Sequence, residues 1–129
     1  MNTEFSLTPD QIQQARESLA ELIAEAYDNS TEHGFTKIYD DLMDAVPVEL
    51  QRDMRRTTLL AKLALITSEV GEAVSALQHG DDLGFAEEVA DVVIRVLDLC
   101  GYAHINLGCI MSSKMQVNRK RPYLHGKEC

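Results

Sequence analysis

Apolar positions recur at helical spacing along almost the whole chain. Ile12, Ala15, Leu19, Leu22, Ile23 and Ala26 follow one another mostly at steps of three and four. Thr8-Pro9-Asp10-Gln11 stands just before them, with an N-cap, a proline at the first helical position and a glutamine three residues after the cap. This predicts a first helix over about 8–29, a loop over 29–34, and a short helix over 37–45 stopped by Pro47. A longer pattern over about 48–79 includes Leu50, Met54, Leu59, Leu63, Ile66, Val70, Val74 and Leu77. Gly80-Asp81-Asp82-Leu83-Gly84 reads as a turn. A helix over about 85–105 follows, carrying Phe85, Val89, Val92, Val93, Val96 and Cys100. A last short helix over about 109–119 leads into a tail with Pro122. The β-branched run Val92-Val93-Ile94 sits inside a longer helical pattern, so it predicts no strand. The expected fold is all-α, a helical bundle around an antiparallel hairpin, with 1–129 as a single domain and its core over 48–121.

Composition narrows the partners. Twelve Lys and Arg against 21 Asp and Glu give a net charge of −9. That balance argues against a general nucleic-acid or anionic-membrane surface. No apolar run approaches the roughly 18 residues of a spanning helix, and the N-terminus has no basic-then-apolar signal pattern. The expectation is a cytoplasmic protein with no membrane or nucleic-acid partner. Three cysteines without framework spacing fit a reducing compartment. The charge is uneven: Lys114, Arg119, Lys120, Arg121 and Lys127 face only Glu128 within 114–129. An acidic body with a basic tail suits a ligand that meets both signs, although a solvated tail has the same composition.

Two acidic pairs carry the candidate chemistry, Glu69-x-x-Glu72 and Glu88-x-x-Asp91. The i, i+3 spacing puts each pair on one helix face. Residues 69 and 91 are symmetric about Gly80, and so are 72 and 88. A hairpin folding there brings all four carboxylates to similar heights, roughly 12 to 17 Å from the turn at about 1.5 Å per residue. Leu65, Ala73 and Ala76 share the sector of Glu69 and Glu72, while Thr67, Gly71, Ser75 and Gln78 form the polar side of that helix. Val92 and Leu99 flank the sector of Glu88 and Asp91. Four carboxylates among apolar positions repel one another unless they take up protons or a cation. All-oxygen ligation suits Mg²⁺, with Mn²⁺ as an alternative. Cys100, His104 and Cys109 lack a zinc ligand pattern, and Cys100 shares a face with Val89, Val93 and Val96, as a buried apolar cysteine does.

The paired spacing resembles the ExxE…ExxD signature of MazG-like nucleotide pyrophosphohydrolases, within the all-α NTP pyrophosphatase superfamily. Residues 65–73, LITSEVGEA, are similar to that family's first metal-binding helix, and residues 85–95, FAEEVADVVIR, to its second. Lys114, Asn118, Arg119, Arg121, Pro122, Tyr123, His125 and Gly126 resemble the tail of short, phage-type members, and His33-Gly34-Phe35 the loop after their first helix. The resemblance covers roughly residues 30 to 127. It implies hydrolysis of nucleoside triphosphates, with deoxynucleotides favoured, between the α and β phosphates to give a monophosphate and pyrophosphate. It implies Mg²⁺ held by Glu69, Glu72, Glu88 and Asp91, and self-association as a dimer or tetramer. The chain departs from its relatives in having no tryptophan and in carrying Thr36 where many have an aromatic residue.

One carboxylate is expected to accept a proton from the attacking water; Glu72 is preferred over Glu69, and a ligand role alone fits either. Lys114, Asn118 and Arg121 have i, i+4 and i, i+3 spacing and are expected to hold the β and γ phosphates. His33 and Phe35 are the candidate base contacts, with a core position the other reading of Phe35. Arg95, one turn after Asp91, is expected to support that carboxylate or to form an ordinary intrahelical ion pair. Lys62 reads as a surface residue within reach of the site. The alternative function is a noncatalytic helical assembly or regulatory module stabilised by divalent metal.

Overall fold

The computed structural model describes residues 7–122. Tyr123, His125 and Gly126 of the tail motif lie outside the described residues. Five helices fill the described chain: α1 (Pro9–Glu32), α2 (Lys37–Ala45), α3 (Val48–Gln78), α4 (Asp82–Ala103) and α5 (Leu107–Arg119). The fold is all-α as expected, and no single helix among the described residues is long and apolar enough to cross a membrane.

Local chemistry sets the helix ends. Thr8 and Gln11 cap α1 reciprocally: the Gln11 N–H donates to Thr8 Oγ1 at 3.2 Å and the Thr8 N–H to Gln11 Oε1 at 2.9 Å. The helix runs three residues past the expected Asn29, because Thr31 Oγ1 donates back to the Tyr27 carbonyl and the His33 ring engages that of Asn29. The end of α3 is a Schellman turn. Gly80 takes a left-handed φ of 71°, its N–H reaches the Leu77 carbonyl, and the Asp81 N–H reaches that of Ala76. The Asp81 side chain then accepts from the Gly84 N–H at 2.9 Å, so α4 starts at Asp82, three residues before the expected Phe85. Asn106 does the same for α5, which starts at Leu107 instead of Cys109.

The chain divides into two compact units. In Leu22–Ile105, α3 and α4 form the antiparallel hairpin, with Ala73, Leu97 and Cys100 buried. The C-terminal half of α1 reaches α4 at Gly101, where a Cβ would come within 2.6 Å of Tyr27 Cβ. In the other unit, Met1–Glu21 with Asn106–Cys129, Gly108 lies against Arg16, whose Nε donates to Ser112 Oγ at 3.1 Å. Much apolar surface remains exposed. Leu60, Leu63, Val70, Val74 and Leu77 recur at steps that align them along one stripe of α3, and each is 45% or more exposed.

Candidate functional site

The hairpin gathers three of the four expected acidic residues. Glu69, Glu88 and Asp91 each offer one carboxylate oxygen, and these three oxygens lie within 4.8 Å of one another. Glu69 is buried, Glu88 half-buried and Asp91 exposed. Glu72, exposed, stands outside this triad, yet close enough to act on the titration of both Glu69 and Glu88.

The electrostatics of the cluster are divided. Arg95 donates from Nε to Glu69 Oε1, and this bond holds the Glu69 carboxyl below the usual carboxylate range against the opposing effect of burial. Arg95 therefore pairs across the hairpin with Glu69, not along α4 with Asp91, because the facing carboxylate sits opposite its side chain while its own face is shared with the cavity. Glu88 moves the other way. Burial first, and then the nearby Glu72 and Glu69 carboxylates, push it up to about 7. Its Oε2 is buried with no hydrogen-bond partner among the described residues. A divalent cation would answer both features, because it would neutralise the crowded carboxylates and give the orphaned oxygen a partner. The donor set, all carboxylate oxygen, fits Mg²⁺ or Mn²⁺.

A cavity of about 330 Å³ opens beside Glu69 and Asp91. Phe35 and Ile38 give it an apolar wall, Asn29 and Ser30 polar groups, and Arg95 a cationic edge. Deeper along the hairpin, Lys62 and Asp98 line it as a pair at 2.9 Å. Lys62 is only 5% exposed, and its ammonium lies 5.2 and 5.1 Å from the ring centres of Tyr39 and Tyr102. The surface reading of Lys62 is thus overturned: a carboxylate and two aromatic faces replace its water.

The other expected residues occupy different places. Phe35 lines the cavity, whereas His33 is exposed beyond the end of α1, its Nδ1 2.8 Å from the Asn29 carbonyl oxygen. Lys114 and Asn118 are exposed on α5 at i, i+4 spacing. The helix closes at Arg119, and Arg121 follows in the last turn, its N–H donating to the Asn118 carbonyl at 3.2 Å. Cys100 is buried at 3% exposure, and burial pushes its thiol up, as an apolar cysteine requires. Asp98, Tyr39 and Ser30 are additions that sequence reasoning does not single out. For Asp98 a signal existed, a lone carboxylate within Val96-Leu97-Asp98-Leu99.

The family model for the MazG nucleotide pyrophosphohydrolase domain matches residues 57–121. Neither the curated proteins nor the solved structures include a match.

Proposed function

The chain belongs to the MazG nucleotide pyrophosphohydrolase domain family, and from that membership we propose that it hydrolyses nucleoside triphosphates, with deoxynucleotides favoured, between the α and β phosphates. The products are a nucleoside monophosphate and pyrophosphate. The observation that carries this reading is the triad of carboxylate oxygens of Glu69, Glu88 and Asp91 within 4.8 Å, at the edge of a cavity.

Glu69, Glu72, Glu88 and Asp91 hold Mg²⁺, or Mn²⁺ in its place. When bound, the ion would supply charge neutralisation for the phosphates and a lowered pKa for a water. Glu72 is the better placed of the two candidate bases. Glu69 is buried and contributes to the oxygen triad, whereas Glu72 is exposed and outside it. Exposed Glu72 takes the proton of the attacking water, while Glu69 acts as a ligand. Water attacks the α phosphorus, the bond from that phosphorus to the α–β bridging oxygen breaks, and pyrophosphate leaves. Lys114, Asn118 and Arg121 hold the β and γ phosphates as charge gathers on the leaving group. Phe35 offers its ring to the base; His33 joins it by leaving the Asn29 carbonyl.

The assembly is a dimer or tetramer of this chain, supported by the exposed apolar stripe of α3. The role is control or cleansing of a cytoplasmic nucleotide pool. Pyrophosphate release from a panel of deoxynucleoside triphosphates with Mg²⁺, abolished by EDTA, tests the reading.

A further inference from the structure

Arg95 reaches from α4 into the acidic centre and holds a carboxylate that the cluster also offers to a metal. Its Nε donates to Glu69 Oε1 at 2.5 Å, and Glu69 supplies one of the three oxygens gathered within 4.8 Å. Two cations this close repel each other, and each weakens the other's hold on the shared carboxylate. Glu69 does not depend on Arg95 for its direction. It is 8% exposed, on the α3 face it shares with buried Ala73, so packing aims it. Arg95 in contrast has a 41% exposed side chain and borders the cavity next to Glu69 and Asp91. It therefore has room to move, and the cavity is where an anionic substrate arrives.

We propose that Arg95 is a built-in counter-ion, which steadies the metal-free acid cluster, yields Glu69 when a divalent cation enters, and turns its guanidinium to the phosphates of the nucleotide in the same cavity. The proposal rests on the hydrolase reading above and adds an exchange of partners to it. Before exchange the guanidinium offsets repulsion among Glu69, Glu72 and Glu88. After exchange it becomes a forked phosphate donor. Metal and substrate binding are then coupled through one side chain, because each favours the state in which Arg95 has left Glu69.

The test compares the parent with Arg95→Gln and Arg95→Lys in three measurements without turnover. These are Mn²⁺ affinity by calorimetry, thermal unfolding with and without Mn²⁺, and affinity for inorganic triphosphate at saturating Mn²⁺. Arg95→Gln should bind Mn²⁺ several-fold more tightly than the parent. It should melt lower without metal and gain more from Mn²⁺. Its triphosphate affinity should fall about 10-fold, the loss of one charge-assisted hydrogen bond. Arg95→Lys should lie between. Mn²⁺ binding by Arg95→Gln that equals or falls below the parent's overturns the proposal and makes Arg95 a support for Glu69. Unchanged triphosphate affinity overturns the transfer to phosphate. Both outcomes leave the hydrolase reading standing, whereas a parent that binds no Mn²⁺ overturns the two together.

Discussion

Lys62 and Asp98 pair at 2.9 Å across the α3–α4 hairpin, and they lie equally far from Gly80 along the chain. The relation is the one that aligns Glu69 with Asp91 and Glu72 with Glu88, displaced two helical turns away from the loop. One Schellman turn at Gly80 thus sets the register of both the acid cluster and the ion pair beneath it. The pair is costly to break from one side. Lys62 is 5% and Asp98 17% exposed, and Asp98 Oδ1 is buried without a partner among the described residues.

Asp98→Leu strands the Lys62 charge and should destabilise the protein by about 3 to 5 kcal/mol. Lys62→Met strands Asp98 and should have a similar effect. The double variant, which leaves no unpaired charge, should lose much less than the sum of the two. Urea unfolding of all four proteins measures the coupling; additive losses would mean that the two side chains do not act as a pair.

How far this arrangement is legible without coordinates depends on the residue. The acid cluster is, because two i, i+3 pairs are symmetric about a glycine turn and their neighbours Leu65 and Ala73 are apolar. Lys62 is not, since a lysine on a helix is ordinarily solvated and only its symmetric partner Asp98 reveals the pairing. The partner of Arg95 is hidden for a related reason. Spacing along α4 offers Asp91, but a helix facing another presents a second set of carboxylates that one-dimensional spacing does not contain. The starts of α4 and α5 shift because Asp81 and Asn106 act as caps, where composition alone reads turn.

The titration of Glu88 gives the metal-free protein a definite pH dependence. Its folded value, about 7, lies above the unfolded 4.5. Between these values the folded state holds a proton that the unfolded state has lost, so stability falls as pH rises through this window. Glu69 acts oppositely and in a different window. Its folded value is lowered, so its contribution is present above pH 4.5 and is lost as pH falls below it. In EDTA, the melting temperature should decline from pH 5 to 7.5, and Glu88→Gln should flatten that decline. Equal slopes in the two proteins would remove Glu88 as the cause. Below pH 7, Mg²⁺ binding should release a proton, detectable by calorimetry in buffers of different ionisation enthalpy.

The basic tail should act on substrate alone. Lys114→Ala and Arg121→Ala should each raise KM for a deoxynucleoside triphosphate about 10-fold, as expected for one lost charge-assisted contact, and slow turnover. Mg²⁺ affinity should not change, since neither side chain is a metal ligand. Steady-state kinetics with parallel metal titration checks this, and unchanged kinetics in both variants would leave the tail as solvated surface.

The apolar stripe of α3 should be covered by another copy of the chain. Leu60 and Leu77 are 65% and 57% exposed, so Leu60→Glu with Leu77→Glu leaves the hairpin interior intact. Sedimentation should show the parent as a dimer or tetramer and this variant as a smaller species of unchanged helical content. A parent that stays monomeric at all concentrations would contradict the assembly.

The central claim is a metal-dependent cut between the α and β phosphates, and product analysis tests it most directly. The purified protein is incubated with each deoxynucleoside triphosphate and Mg²⁺, and the products are resolved by chromatography with a separate pyrophosphate assay. The account predicts monophosphate and pyrophosphate in equal amounts, with no diphosphate on the way and no reaction in EDTA. Glu69→Gln, Glu72→Gln, Glu88→Gln and Asp91→Asn should each lose most of the activity while staying helical. Orthophosphate with accumulating diphosphate, or near-normal pyrophosphate release by any two of these variants, would contradict it.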